Sequence, residues 1–178
     1  MKNTNIAIAI AFVASVIGFA GTASAQRTAS ASATASAKIV SGISLSKVQD
    51  LNFGQVVRST AAGTVVLDPT SASRTFNGGV TVGQNGGNAY AQFTASGEAS
   101  YAYSLTMPSS VTLTQTVTSG TPATMTVTSL ASTLGSSNNG SLNNEGTNTF
   151  NVGGTLNVGA SQATGNYTGT FNVTVSYQ

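Results

Sequence analysis

The chain has 178 residues, of which only 6% are charged, and it contains neither cysteine nor histidine. These absences exclude disulfides, Ser–His and Cys–His catalytic arrangements, and zinc sites of the usual nitrogen and sulfur type. Six basic and four acidic residues leave a net charge of +2, too small for a basic surface that binds nucleic acid. We expect no enzyme activity, no metal and no cofactor, because the acids are scattered: Asp50, Asp68, Glu98 and Glu145.

Residues 1–25 are typical of a secretory signal peptide. Lys2 supplies the positive charge, and residues 6–20 form an apolar run that is short for a membrane span. Ala23 and Ala25 then provide a small-x-small cleavage site before Gln26. The alternative is a retained membrane anchor. We expect an exported protein that meets a membrane only transiently during export, with a mature chain that begins at Gln26.

Residues 26–38 form an N-terminal extension in which small apolar residues alternate with serine and threonine. Period two is the spacing of a strand with one apolar face. Each buried methyl contributes only about 0.8 kcal/mol, so this segment needs a preformed sheet edge to become ordered. The alternative is a disordered linker. The apolar positions of the candidate strand are Ala29, Ala31, Ala33, Ala35, Ala37 and Ile39.

Residues 39–178 predict an all-β domain, because short runs of period two alternate with turn residues and no helical period is evident. About eight or nine strands are typical of an antiparallel Greek-key sandwich. Asp68–Pro69 predicts a turn, Gly153–Gly154 a bulge, and residues 136–149 a loop. The final strand is expected to run without interruption over residues 167–177.

The last segment alternates strictly from residue 171 onwards, and its pattern resembles the C-terminal signature of chaperone–usher pilins. The matching residues are Gly165, Tyr167, Phe171, Val173, Val175 and the penultimate Tyr177. The body of the chain also resembles domain-of-unknown-function family 4402, a set of small exported bacterial β-proteins. Residues 50–54 (DLNFG), 153–156 (GGTL) and 165–171 (GNYTGTF) carry that second resemblance.

The pilin resemblance implies an immunoglobulin-like fold that lacks one strand and has a groove beside its C-terminal strand. Residues 28–39 would be the donor strand of a head-to-tail polymer, and the six residues of the signature would form the receiving groove. A periplasmic chaperone would fill the groove first, and an outer-membrane usher would then extrude the fibre. It also implies passage through the periplasm to the cell surface of a Gram-negative bacterium, where the fibre would serve adhesion or biofilm formation.

Two features depart from that pattern, and two other functions stay open. Many such pilins have a disulfide and bulkier donor residues than alanine, so a register centred on Ile39 to Leu45 is an alternative. The first other function is that of a monomeric secreted sandwich that binds glycan or matrix through tyrosines, although core packing explains two of the three. The second is that of a small outer-membrane β-barrel. The alternation favours a barrel, but the chain has no tryptophan for the aromatic girdle at the membrane interface. The tyrosines are Tyr90, Tyr101 and Tyr103.

Overall fold

The computed structural model describes residues 28–84 and 87–178, so the predicted signal peptide and its site at Ala23, Ala25 and Gln26 lie outside the described residues. The chain divides between Lys38 and Ile39 into two units. In the first unit the described residues, 28–38, are exposed and belong to no helix or strand. No helix within the described ranges is long and apolar enough to cross a membrane.

The second unit, residues 39–178, is all-β and antiparallel, as predicted. Its strands are short, because turn residues recur every few positions and end each period-two run. The thirteen strands found within the described residues are β1 Ser44–Gln49, β2 Val56–Val57, β3 Gly63–Leu67, β4 Arg74–Gly78, β5 Thr81–Val82, β6 Ala91–Ser96, β7 Ala102–Thr106, β8 Ser110–Gln115, β9 Thr124–Ser132, β10 Asn139–Ser141, β11 Thr147–Val158, β12 Tyr167–Thr168 and β13 Thr174–Tyr177.

The strands form one large sheet and two small ones. The large sheet has the order β1-β6-β11-β9-β8-β12, and β3 pairs with β11 and with β4. The long strand β11 connects its two halves, because residues 147–152 pair with β6 and residues 154–158 pair with β3. The small sheets have the orders β10-β7-β13 and β2-β5. Packing of the smaller elements over one face of the large sheet gives a β-sandwich.

The interior contains two apolar clusters. The first joins the inner face of β8, β9, β11 and β3 to Phe53 and Val80. The second joins β6 and the first half of β11 to β7, with the rings of Phe93 and Phe150 stacked at 5.7 Å. Phe171 packs against both clusters and is only half-buried. Residues 167–177, which we call the C-terminal strand, therefore cross the boundary between the two halves of the interior.

Two local predictions are confirmed. The turn at Asp68–Pro69 forms, with the Asp68 carbonyl accepting the amide of Ala72 at 3.0 Å. The bulge at Gly153–Gly154 also forms, since the register of β11 against β9 shifts between Gly153 and Thr155.

Two other local predictions are wrong. Residues 136–149 are not a continuous loop, because β10 pairs with β7 there and β11 begins at Thr147. The final strand is interrupted between Thr168 and Thr174. Its first part pairs with β8 and its second part with β7, which lie in different sheets, so the chain leaves one ladder before it joins the next.

Candidate functional site

A groove with a volume of about 1160 Å³ opens beside the C-terminal strand. Its two walls are residues 47–58 and residues 162–171, and its floor is the apolar inner face of the large sheet. Six apolar side chains from β8, β9 and β11 make up most of the floor: Val111, Leu113, Met125, Val127, Leu156 and Val158. Four of these side chains are buried, and Leu113 and Met125 are half-buried, so the cleft borders the first apolar cluster and reaches it mainly at these two residues.

The C-terminal wall has hydrogen-bonding capacity to spare. Strand β12 pairs with β8 and strand β13 pairs with β7, and in the described part of the chain no strand pairs with their other edges. The apolar residues of this wall, Tyr167 and Phe171, are half-buried, whereas alternate residues of β6 are fully buried. An edge of this kind accepts an additional strand through main-chain hydrogen bonds.

The opposite wall is held in place by its own side chains. The Asn52 Oδ1 atom accepts the Gly54 amide at 2.8 Å, and Gly54 has a φ of 69°, a conformation that favours glycine. The Arg74 guanidinium reaches across from β4 and donates Nη1 to the carbonyls of Phe53 and Gln55 at 2.8 and 3.1 Å. The same guanidinium lies 5.3 Å from the centre of the Phe76 ring. These contacts fix the position of the wall backbone.

The groove has two different ends. At one end the Phe171 ring meets Phe93 edge-on at 6.5 Å, and beyond it the C-terminal strand packs on the second cluster. At the other end, which we call the rim, the Ser161 amide donates to the Ser59 carbonyl at 2.9 Å and links the two walls. The wall before β12 is stiffened by Tyr167, whose hydroxyl donates to the Ala163 carbonyl at 2.7 Å.

The structure divides the residues that the sequence predicted for this groove. Gly165, Tyr167 and Phe171 lie in its C-terminal wall. Val173, Val175 and Tyr177 lie beyond the Phe171 end and pack against the second cluster. Of the predicted donor residues, Ala29, Ala31, Ala33, Ala35 and Ala37 are exposed, and Ile39 has 95% of its surface exposed.

Sequence reasoning missed the features that shape the opposite wall. The reach of Arg74 to two carbonyls about twenty positions earlier carries no local signal. The Asn52-x-Gly54 spacing is a recognisable Asx turn and could have been predicted. The alternative register that places Leu45 in a donor strand is wrong for this fold, because Leu45 pairs with Ala95 inside the chain's own sheet.

The proposed tyrosine platform does not form. Tyr103 is fully buried, and its ring lies 6.5 Å from that of Phe150. Tyr101 packs edge-on against Tyr177 at 5.4 Å. Core packing therefore accounts for Tyr103, and the edge-on contact with Tyr177 accounts for Tyr101.

Charge has little part in the groove. Lys47 and Asp50, in the first wall, form an exposed ion pair at 2.6 Å. The perturbed groups lie elsewhere: hydrogen bonds from Thr70 lower the pKa of Asp68, and burial raises the pKa of Tyr103. An apolar floor beside an open strand edge suits an extended peptide with alternating apolar residues.

The comparison with known families agrees with one of the two resemblances. The family model described as Domain of unknown function (DUF4402) matches residues 43–177, which include both groove walls. No curated protein matches the chain, and no solved structure matches it. The chain therefore belongs to the family of the domain of unknown function DUF4402.

Proposed function

We propose that this protein is an exported structural subunit of a bacterial surface fibre, without enzyme activity. Each folded body accepts residues 28–39 of another copy, which we call the donor segment, as an additional strand in its groove. The observation that carries this proposal is the apolar groove beside the edge strand β12, with Tyr167 and Phe171 of the same wall only half-buried.

The donor segment has the chemistry that such a groove selects. Its odd-numbered residues are alanines followed by Ile39, and its even-numbered residues are serines, threonines and Lys38. The C-terminal wall has the same parity, with Phe171 half-buried and Thr170 and Asn172 exposed. In a paired antiparallel ladder, directly opposite residues share a face, so the apolar residues of both strands would point to the floor together.

Repetition of this contact generates a filament. Each copy offers a donor segment and a groove at different places, so the contact is heterologous and does not close on itself. Before assembly the exposed groove would need protection, which is the task we assign to a periplasmic chaperone, and an outer-membrane usher would then export the fibre. The fibre would stand at the cell surface and serve adhesion or biofilm formation.

The experiment compares two charge insertions in the full mature chain. Ala35→Asp places a carboxylate on the apolar face of the donor segment, and Ser36→Asp places the same carboxylate on its wet face. Burying an unpaired carboxylate costs several kcal/mol, so Ala35→Asp should abolish polymer, whereas Ser36→Asp should leave it intact. Assembly is measured by size after refolding at high concentration and by detergent-resistant ladders in unboiled gels.

Equal behaviour of the two variants would show that the alternation has no role in assembly. A parent chain that stays monomeric after refolding and also when recovered from the cell surface would contradict the proposal as a whole.

A further inference from the structure

Three hydrogen bonds hold Ser41, close to the start of the second unit. The Tyr177 hydroxyl donates to the Ser41 carbonyl at 2.9 Å, and the Ser41 amide donates to Glu98 Oε2 at 3.2 Å. The Glu98 amide completes the set by donating to the Tyr177 hydroxyl at 2.7 Å. A side chain at Gly97 would collide with that hydroxyl, so glycine is required beside it. We call Ser41, Glu98 and Tyr177 the Ser41 clamp.

The clamp lies at the opposite end of the sandwich from the rim. From Ser41 the chain runs through β1 into the first groove wall and ends at the rim with Ser59. The last part of the chain runs the other way, from Ser161 at the rim through the C-terminal strand to Tyr177 in the clamp. In a head-to-tail filament, the clamp of one copy therefore faces the rim of the next.

Ile39 stands immediately before this clamp. It is the largest apolar residue of the donor segment, and 95% of its surface is exposed. Only Val40 separates it from Ser41. The clamp holds the chain only two residues after Ile39, so Ile39 can reach a neighbouring copy only at the near end of that copy's groove, which is the rim.

We propose that Ile39 anchors the donor strand at the rim, opposite Tyr167, with the strand antiparallel to the neighbour's C-terminal strand. This inference rests on the proposed function. Strand β12 begins at Tyr167, so a donor whose last apolar residue, Ile39, lies opposite Tyr167 still has that side chain over the groove. Ala35 then lies opposite Phe171, and Val40 alone spans the junction between consecutive copies.

The absence of cysteine from the chain allows a direct test. Three double variants of the full mature chain share Thr168→Cys, an exposed position on the wet face, and differ in the second cysteine. Lys38→Cys lies opposite Thr168 in the proposed register, Ser36→Cys lies two residues away, and Ser30→Cys would lie near it only in a parallel strand. Disulfides need Cα atoms within about 4.4–6.8 Å, which only the opposite pair meets.

We expect mild oxidation to convert the Lys38→Cys variant into a covalent ladder, with little or no cross-linked product from the other two. Dominant cross-linking through Ser36→Cys would put Ile39 outside the groove, and dominant cross-linking through Ser30→Cys would reverse the strand. Either result overturns the inference, as does assembly without any cross-link. Loss of assembly in the unmodified chain would instead refute the proposed function, so the two failures are distinguishable.

A second measurement tests the anchor itself. Subunits that carry Ile39→Ala should dissociate from the polymer roughly thirtyfold faster than parent subunits, or faster still, because truncation of a buried isoleucine to alanine is among the costly core substitutions. Ile39→Val should recover most of that loss, and Ser36→Ala on the wet face should have no effect. An Ile39→Ala polymer as long-lived as the parent would overturn the anchoring role.

Discussion

Removal of the side-chain hydroxyl from Tyr177 and from Tyr103 should change the free energy of unfolding in opposite directions. Tyr177→Phe deletes a hydroxyl that makes two hydrogen bonds, to the Ser41 carbonyl and from the Glu98 amide. Each contributes about 0.5–1.5 kcal/mol, so the free energy of unfolding should fall by about 1–3 kcal/mol. Tyr103→Phe deletes a fully buried hydroxyl that has no hydrogen-bond partner among the described residues. Relief of that unsatisfied group should raise the free energy of unfolding by about 1 kcal/mol.

Urea titration followed by far-ultraviolet circular dichroism measures both effects, with all chains compared in the same assembly state. With an m-value of about 2 kcal/mol per molar urea, Tyr177→Phe should lower the midpoint by roughly 0.5–1.5 M. Tyr103→Phe should raise the midpoint by roughly 0.5 M. A midpoint that is unchanged or raised in Tyr177→Phe would refute the hydrogen bonds on which the Ser41 clamp depends, and a lowered midpoint in Tyr103→Phe would refute the cost assigned to its unsatisfied hydroxyl.

Three further predictions concern the fold and the groove walls. Burial raises the pKa of Tyr103 above its ordinary value of 10.0, so ionisation of this residue leaves stability unchanged below about pH 10 and lowers it as pH rises through the folded pKa. Alkaline unfolding should therefore shift to higher pH in Tyr103→Phe, and an unchanged profile would contradict this cause. Arg74→Lys should lower stability by about 1 kcal/mol and speed hydrogen exchange in residues 52–56, because lysine cannot reproduce the two-carbonyl contact and the ring stacking. Hydrogen exchange at the parent rate would show that Arg74 does not hold this wall in place. Gly169→Ala should destabilise the fold, because its Cβ would collide with the Thr112 carbonyl, whereas Gly42→Ala meets no atom within 4 Å and serves as the matched control.

Much of the architecture could be predicted from alternation alone. Period two identified the central strands and the parity of the C-terminal strand, because a one-residue shift would move every apolar side chain to the wet face. The Asp68 turn and the Gly153 bulge carry local signals and were predicted for that reason. The break after Thr168 could not be predicted, since it depends on which sheet each part of the strand joins.

The groove was predicted less completely than the fold. Its C-terminal wall follows from the alternating tail, but its other wall depends on contacts distant in sequence, such as Arg74 with the Phe53 carbonyl. The short strand β10 was also missed, because Gly140 pairs there with the buried Tyr103 and a polar sequence gives no sign of it. Tertiary contacts of this kind are not encoded in local periodicity.

Moving the donor segment into the groove of its own chain would remove the need for a second copy. A copy of residues 28–39 is attached after Gln178 through a turn of about four residues, and the N-terminal copy is removed, so that an antiparallel hairpin with the C-terminal strand can form. We predict a monomer with a higher urea midpoint than the parent chain, because the groove is filled from within. A fused chain that still polymerises, or a monomer no more stable than one whose attached segment carries Ala35→Asp, would contradict it.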